Sequence, residues 1–187
     1  MSFFRKFADS SKELTNVRVL AVCAMMLALR VVLGMFANFS LNFIPLPVVK
    51  ISLTFIPIAI SGYLYGPVCA GLIAGLGDIL SYLLQPTALG FNPGITICYI
   101  IEGIIYGVCL YQTDLKIKNL VIAKVADLAL CTLTLNSFVL MVLFFQNVPF
   151  WQILLWRAAV LVPFAIIEIA VIRLMKQLLQ RVKNIKV

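Results

Sequence analysis

Residues 68–111 read VCAGLIAGLGDILSYLLQPTALGFNPGITICYIIEGIIYGVCLY. The stretch holds two long apolar runs, 68–84 and 93–111, and each is close to the ~20 residues that a helix needs to cross a bilayer. The break between them, at 85–92, carries a proline, a glycine and several hydrogen-bonding side chains. The stretch therefore predicts two membrane helices, and it raises the hypothesis that the polar loop joining them is part of a binding site.

The composition of the whole chain is that of a membrane protein. Of its 187 residues, 63% are hydrophobic and 12% are charged, and the mean hydropathy is +1.09. Soluble domains are about half apolar and about a quarter charged. We predict an all-α integral membrane protein, a six-helix bundle forming one domain over residues 1–187. The predicted spans are 17–37, 51–65, 68–84, 93–111, 121–145 and 153–174, with a kink at Pro57 in the second.

The cations predict the orientation of this bundle. The net charge is +8, but the lysines and arginines lie at the edges of apolar runs, which indicates membrane orientation rather than nucleic-acid binding. Both termini are therefore predicted to be cytoplasmic, and the loop at 85–92 faces outward. All but three of the 15 cations then fall on the inner side: Arg5, Lys6, Lys12, Arg18, Lys116, Lys118, Lys124, Arg173, Lys176, Arg181, Lys183 and Lys186.

Several kinds of catalytic site have no support in the sequence. The chain contains no histidine and no G-x-x-x-x-G-K-[ST] motif, and its five cysteines form no C-x-x-C pair. We read the cysteines as small hydrophobic residues. No enzyme activity, metal site or cofactor is predicted.

Three cations remain on the predicted outer side: Arg30, Lys50 and Arg157. Arg30 lies about 18 Å up the first span, counted from Arg18, and Arg157 lies about 9 Å below the outer end of the last span. Ionised groups inside a bilayer are costly and usually face a cavity or a partner. We predict that the three form an outward-facing anion site, with snorkelling or pairing with an acid as the alternative.

Further polar and aromatic residues are predicted to converge on the same outer half. The mixture of cations with the carboxylate of Asp78 indicates an amphoteric ligand. Glu102 is either a ligand contact or a counter-ion to Arg30 or Arg157, whereas Glu168 lies deeper and is expected to pair with a cytoplasmic cation. The remaining candidates are Thr87, Asn92 and Asn136 for hydrogen bonds, and Phe43, Phe91, Tyr99 and Trp151 for stacking.

Small residues four apart allow helices to approach closely. They occur as Ala24 and Ala28, as Gly71 and Gly75, and as Gly103 and Gly107. Packing within the bundle is the default use of such pairs. Ala24 and Ala28, in the middle of the first span, have the alternative of docking a second protein.

Residues 12–112 resemble the substrate-binding S components of energy-coupling factor (ECF) vitamin transporters, most closely the folate subfamily. The matching elements are F-I-P-I-A-I-x-G at 55–62, the turn at 65–67, Asp78, Pro86-Thr87 and Phe91-x-Pro93-Gly94. The resemblance implies a six-helix bundle that binds its vitamin from outside. It also implies a coupling membrane protein and two ATPase subunits as partners, docking at Ala24 and Ala28, and a pterin ring bound by Asp78.

The resemblance thus implies a folate-binding subunit of an ECF-type transporter. One alternative is an S component for another anionic vitamin, such as pantothenate. Another is a homo-oligomeric secondary carrier that uses Asp78 or Glu102 as a proton site and needs no ATPase.

Overall fold

The computed structural model describes residues 3–36, 39–40, 50–51, 53–86, 90–113, 117–144 and 149–174. Two predicted site residues, Phe43 and Thr87, lie outside the described residues, as does the side chain of Lys50. The described chain is helical except for one very short strand pair. Its helices are α1 Phe3–Glu13, α2 Val17–Phe36, α3 Phe55–Tyr65, α4 Pro67–Leu84, α5 Pro93–Leu110, α6 Ile117–Asp127, a π-helix Leu128–Leu135, α7 Asn136–Phe144 and α8 Phe150–Leu174.

The strand pair precedes α3. β1 (Phe39–Ser40) pairs antiparallel with β2 (Lys50–Ile51), with Phe39 opposite Ile51. The second span, expected from residue 51, therefore begins as a helix only at Phe55. Pro57 lies in the first turn of α3, where its missing N–H has no intrahelical acceptor, so it does not interrupt the helix.

Four helical segments of the described chain are long and apolar enough to cross a membrane: Val17–Met35, Pro67–Leu84, Pro93–Leu110 and Lys118–Val139. α8 adds a fifth if its two parts, bent by 40° between Ala159 and Leu161, count as one span. Pro163 explains this bend, because its ring clashes with the carbonyl group of Ala159 four residues earlier. α3, with 11 residues, is shorter than a full span.

The turn between α3 and α4 is fastened to α1. Gly66 has a φ of +88°, and a Cβ atom there would lie 2.8 Å from the Cβ of Ser10. The Ser10 hydroxyl donates to the Tyr65 carbonyl at 2.7 Å and accepts from the Val68 N–H at 3.1 Å. We call this side of the bundle the α1 end, and the side with the 85–92 loop the loop end.

Glycines bring α5 against α4 in the centre of the bundle. A Cβ atom on Gly103 would lie 2.5 Å from the Ala70 carbonyl oxygen, and one on Gly107 would lie 2.5 Å from the nitrogen of Pro67. Tyr106 and Leu110 are buried on the same side of α5. The Gly103–Gly107 pair therefore serves packing within the bundle, which was its default interpretation.

The predicted fifth span contains a π-helix that divides it into two parts. The N–H of Asn136 bonds to the carbonyl of Cys131, five residues back, and the Thr134 hydroxyl donates to the carbonyl of Ala129 at 2.5 Å. π-Helical segments are rare and frequent at functional sites. Here the segment separates Lys124 and Asp127 on α6 from Asn136 on α7.

Candidate functional site

The side chain of Arg30, on α2, packs against α4 at Gly77. It is only 2% exposed, and its guanidinium carbon lies 4.9 Å from the centre of the Tyr99 ring on α5, a cation–π contact. A Cβ atom on Gly77 would come within 2.7 Å of the Cδ of Arg30. A glycine at this position therefore makes room for the arginine.

Asp78 follows Gly77 and is half-buried. Its Oδ2 accepts a hydrogen bond from the Thr96 hydroxyl on α5 at 2.7 Å. Thr96 is buried, and it was not among the sequence-predicted site residues. The position of Thr96 along its helix could have indicated it. Asp78 lies about 9 Å from the end of α4, and Thr96 lies about 5 Å from the start of α5, and both of these helix ends flank the same loop.

Arg157 of α8 is a second buried arginine that interacts electrostatically with α5. It is 4% exposed, and its electrostatic partners are Tyr99 and Cys98 of α5. Tyr99 interacts electrostatically with Arg30 as well. The structure therefore brings together Arg30, Asp78, Tyr99 and Arg157, four of the predicted site residues, and adds Thr96. We call this group the arginine layer.

The two arginines of this layer keep hydrogen-bonding capacity to spare. In the described part of the chain, the Nε of Arg30 and both the Nε and Nη1 of Arg157 are buried without a hydrogen-bond partner. Within the described ranges, neither guanidinium forms an ion pair with a carboxylate. Their burial argues against snorkelling. An unsatisfied buried donor costs about 1–3 kcal/mol, and more when it is charged. The arrangement is suited to an incoming group with oxygen acceptors.

The neighbouring loop-end residues have defined contacts of their own. Asn92 is the N-cap of α5, and its side-chain oxygen accepts from the Gly94 N–H at 2.9 Å. Phe91 is exposed, and its ring centre lies 5.4 Å from that of Tyr82. Asn136 is half-buried at the start of α7, beside Ser137, which is fully buried and whose hydroxyl has no hydrogen-bond partner among the described residues. Ser137 is a second polar residue that sequence reasoning missed.

Trp151 is not brought into the arginine layer. It is 72% exposed and makes an edge-to-face contact with Phe150, the preceding residue.

Glu102 lies near a second group of charges. Its largest electrostatic interactions are with Asp127, Lys124 and Glu168, and the one with Arg30 is weaker. The structure thus gives no direct Glu102–arginine pair among the described residues.

The second group, which we call the lysine cluster, is internally paired. Lys124 of α6 is 7% exposed, and its ammonium contacts the Asp127 carboxylate at 2.8 Å and the Glu168 carboxylate of α8. The prediction that Glu168 pairs with a cation of the inner set is confirmed. The cluster holds α6 to α8 in the half of the bundle toward the α1 end.

Ala24 and Ala28 are both exposed on α2. Exposed Leu20, Met25 and Val32 lie on the same helix. The small residues therefore lie within an apolar surface that no other described element covers.

The comparisons with known proteins agree on one family. The model of the family "ECF transporter, substrate-specific component" matches residues 18–175. The chain belongs to this family. Folate transporter FolT of Clostridium novyi (strain NT) is 31% identical over 128 residues, which are 68% of this chain and 71% of that protein. A crystal structure of FolT bound with folic acid has a TM-score of 0.76 and 25% identity, and the match covers 87% of this chain and 94% of that chain.

Family membership confirms the resemblance predicted from the sequence. An ECF substrate-specific component is the membrane-embedded, substrate-binding part of a transporter, which agrees with the apolar helices of the described chain. The arginine layer is then a polar group inside a membrane-embedded transport protein, a position in which ionisable residues usually serve the transported molecule.

Proposed function

We propose that this substrate-specific component binds a folate with high affinity and that the arginine layer is its binding site. The observation that carries the proposal is the pair of buried arginines, Arg30 and Arg157, which keep unpartnered N–H groups near Tyr99. Folate fits this chemistry because it joins an amino-heterocycle to a carboxylate-bearing tail. The two FolT relatives support the choice of ligand.

Each residue of the layer has a role in this proposal. The guanidinium groups donate to oxygen acceptors of the ligand, and arginine is suited to carboxylates through two parallel hydrogen bonds. The Asp78 carboxylate accepts from the amino group and ring N–H of the pterin, and Thr96 fixes its orientation. Tyr99 supplies a ring face. Phe91, Asn92 and Asn136 complete the wall from the loop end. Lys50, Thr87 and Phe43 stay sequence-based candidates for ligand contacts, and so do Glu102 and Trp151, which lie outside the arginine layer.

We propose a single six-span domain with cytoplasmic termini. α3 with the segment before it forms the second crossing, and α8 crosses as one bent span. The site then opens toward the exterior through the loop end. The distribution of cations supports this orientation by the positive-inside rule.

We propose that transport is driven by a partner module, a coupling membrane protein with two ATPase subunits. No Walker A motif occurs in the sequence. The exposed apolar surface around Ala24 and Ala28 is the proposed contact with the coupling protein, because small residues let another helix approach closely.

Titration calorimetry of the purified protein tests the ligand. We expect folic acid to bind with a Kd below about 1 μM, or about −8 kcal/mol, and pantothenate to show no heat of binding. Asp78→Ala should abolish measurable binding, whereas Glu168→Ala should retain it even if the protein is less stable. Binding of pantothenate in place of folic acid would overturn the ligand, and equal effects of the two variants would overturn the site.

Proteoliposomes test the mode of energy supply. The protein reconstituted alone should bind folic acid without accumulating it when a pH gradient is imposed. Accumulation under these conditions would favour a proton-coupled carrier and contradict the need for an ATPase module.

A further inference from the structure

A groove of about 300 Å³ runs along the surface of the bundle between α4 and α5. Its walls are the side chains of Leu72, Leu76 and Ile79 on one side and of Ile100 and Ile104 on the other, and Phe7 of α1 closes its α1 end. Almost all of the lining is carbon. We call it the α4–α5 groove, and it is separate from the arginine layer.

Glycines form the floor of this groove. A Cβ atom on Gly75 would lie 2.7 Å from the Cγ1 of Ile100, and one on Gly71 would lie 3.3 Å from the Cγ1 of Ile104. Leu72 and Leu76 stand about half exposed beside them. A ridge of leucines next to a floor without side chains makes the groove long and narrow.

A cation lies at the α1 end of the groove. The ammonium of Lys6 donates to the carbonyl of Val108 at 2.7 Å, and Val108 is one helical turn beyond Ile104. An ammonium carries three donors, so this bond leaves two of them for another acceptor. Arg5 and Lys12, on the same helix, are exposed.

The length of the groove matches one leaflet of a bilayer. From Val68 to Ile79 the helix rises about 16 Å, and half of the ~30 Å hydrocarbon core is about 15 Å. A groove for a partner's membrane helix would gain by extending over the full thickness. An apolar groove of one leaflet's length, with a positive charge at one end, has the pattern of a single amphiphile.

We propose that the α4–α5 groove binds one anionic phospholipid from the leaflet on the α1 side. An acyl chain lies between α4 and α5, and the headgroup phosphate accepts hydrogen bonds from Lys6. The proposal is independent of the vitamin that the arginine layer binds.

Native mass spectrometry with added lipid tests the proposal. The full-length protein in detergent is titrated with phosphatidylglycerol or with phosphatidylcholine of the same acyl chains. We expect one phosphatidylglycerol to bind at least tenfold more tightly than phosphatidylcholine. Lys6→Gln keeps a hydrogen-bond donor but removes the charge, and should reduce this preference to less than threefold. Lys118→Gln, an exposed lysine on α6, should keep it.

A second pair of variants tests the groove itself. Val68→Phe places a ring in the groove and should remove the tightly bound lipid, whereas Val32→Phe, on the exposed side of α2, should leave it bound. Leu76→Trp fills the groove from an exposed position and serves if Val68→Phe does not fold.

Three outcomes would overturn the proposal: equal binding of the two lipids to the unmodified protein, an unchanged preference in Lys6→Gln, or a retained lipid in a folded groove-filling variant. If the groove-filling variants kept the lipid but no longer assembled with the coupling membrane protein, the groove would belong to a protein partner instead.

Discussion

The lysine cluster and the arginine layer are both groups of buried charges, but only in the first do opposite charges meet. The Lys124 ammonium contacts two carboxylates, from α6 and α8. Arg30 and Arg157 are buried to a similar degree, yet no carboxylate of the described chain pairs with them.

The difference shows how the purpose of a buried charge can be read from its partners. Burying a charge costs several kcal/mol, and pairing offsets much of that cost. The lysine cluster recovers part of the cost within the protein, through the two ion pairs of Lys124, although the Oδ1 of Asp127 has no hydrogen-bond partner among the described residues. Its role is therefore explained by the fold. The arginine layer leaves donors unsatisfied, so the remaining interaction energy is available to a molecule from outside the fold.

The largest expected effect is on stability and lies in the lysine cluster. Lys124→Met leaves Asp127 and Glu168 buried without a cation, and removing one partner of a buried pair costs about 3–5 kcal/mol. Thermal or denaturant unfolding in detergent measures the loss. Lys118→Met, an exposed control, should stay within about 0.5 kcal/mol. A Lys124→Met variant as stable as the Lys118→Met control would contradict a structural role for the lysine cluster.

The next effect is on affinity and lies in the arginine layer. Arg30→Met or Arg157→Met should weaken folic acid binding about 100-fold, or about 2.7 kcal/mol. The unliganded protein should be no less stable, because each change removes an unsatisfied buried charge. Calorimetry and unfolding of the same samples measure both quantities. Arg18→Met is the exposed control. A variant that lost stability but kept affinity would place the arginine with Lys124 as a structural charge.

A smaller effect is expected at Gly77. Gly77→Ala displaces the Arg30 side chain, because the new Cβ would lie within 2.7 Å of its Cδ. We expect an affinity loss of about tenfold, or about 1.4 kcal/mol. Gly34→Ala is the matched control on α2, since its Cβ would meet Ser81 Oγ at an ordinary 3.4 Å. Equal affinities of the two variants would show that the position of Arg30 does not matter for the ligand.

The smallest effect is expected at Thr96. Thr96→Val removes the hydrogen bond to Asp78 and should weaken folic acid binding by about 1 kcal/mol, a typical value for one hydrogen bond. Thr96→Ser should restore the affinity, and the comparison by calorimetry separates the hydroxyl from the methyl group. If valine and serine behave alike, Asp78 is oriented by something else.

The sequence predicted Arg30, Asp78 and Arg157 of the arginine layer, and the pairing of Glu168 with an inner cation, because a charge in an apolar run is conspicuous. It did not predict the part of Asp127 in the lysine cluster. It did not predict the hydroxyls of Thr96 and Ser137. Hydroxyls in helices often bond their own backbone, as Ser81 does to Gly77 at 2.6 Å and Ser61 does to Ile58 at 2.9 Å, so their presence alone is uninformative. The pairing of charges also depends on the relative orientation of the helices. The spacing of residues along a single helix does not determine that orientation.

Some predicted helix boundaries were wrong because they depend on contacts and hydrogen bonds that the periodicity of one segment does not reveal. The strand pair before α3 depends on contact between residues 39–40 and 50–51, which are distant in sequence. The π-helix at 128–135 departs from the 3.6-residue period on which the prediction of a single helix over 121–145 relied. Asn92 was predicted only as a ligand contact, but it is the N-cap of α5. This role could have been predicted, because asparagine is a preferred N-cap residue and here precedes a proline at the first helical position.

The double hydrogen bond of Ser10 to the α3–α4 turn has a mechanical consequence. α1 must move together with the bundle, because Ser10 in its middle is hydrogen-bonded to the backbone of α3 and α4. If the bundle tilts during transport, α1 tilts with it and carries exposed Arg5 and Lys12 toward or away from the hydrocarbon. Helix α1 would then oppose tilting of the bundle, because tilting toward the hydrocarbon would move those two cations out of water. The larger the free-energy cost of that transfer, the stronger the opposition.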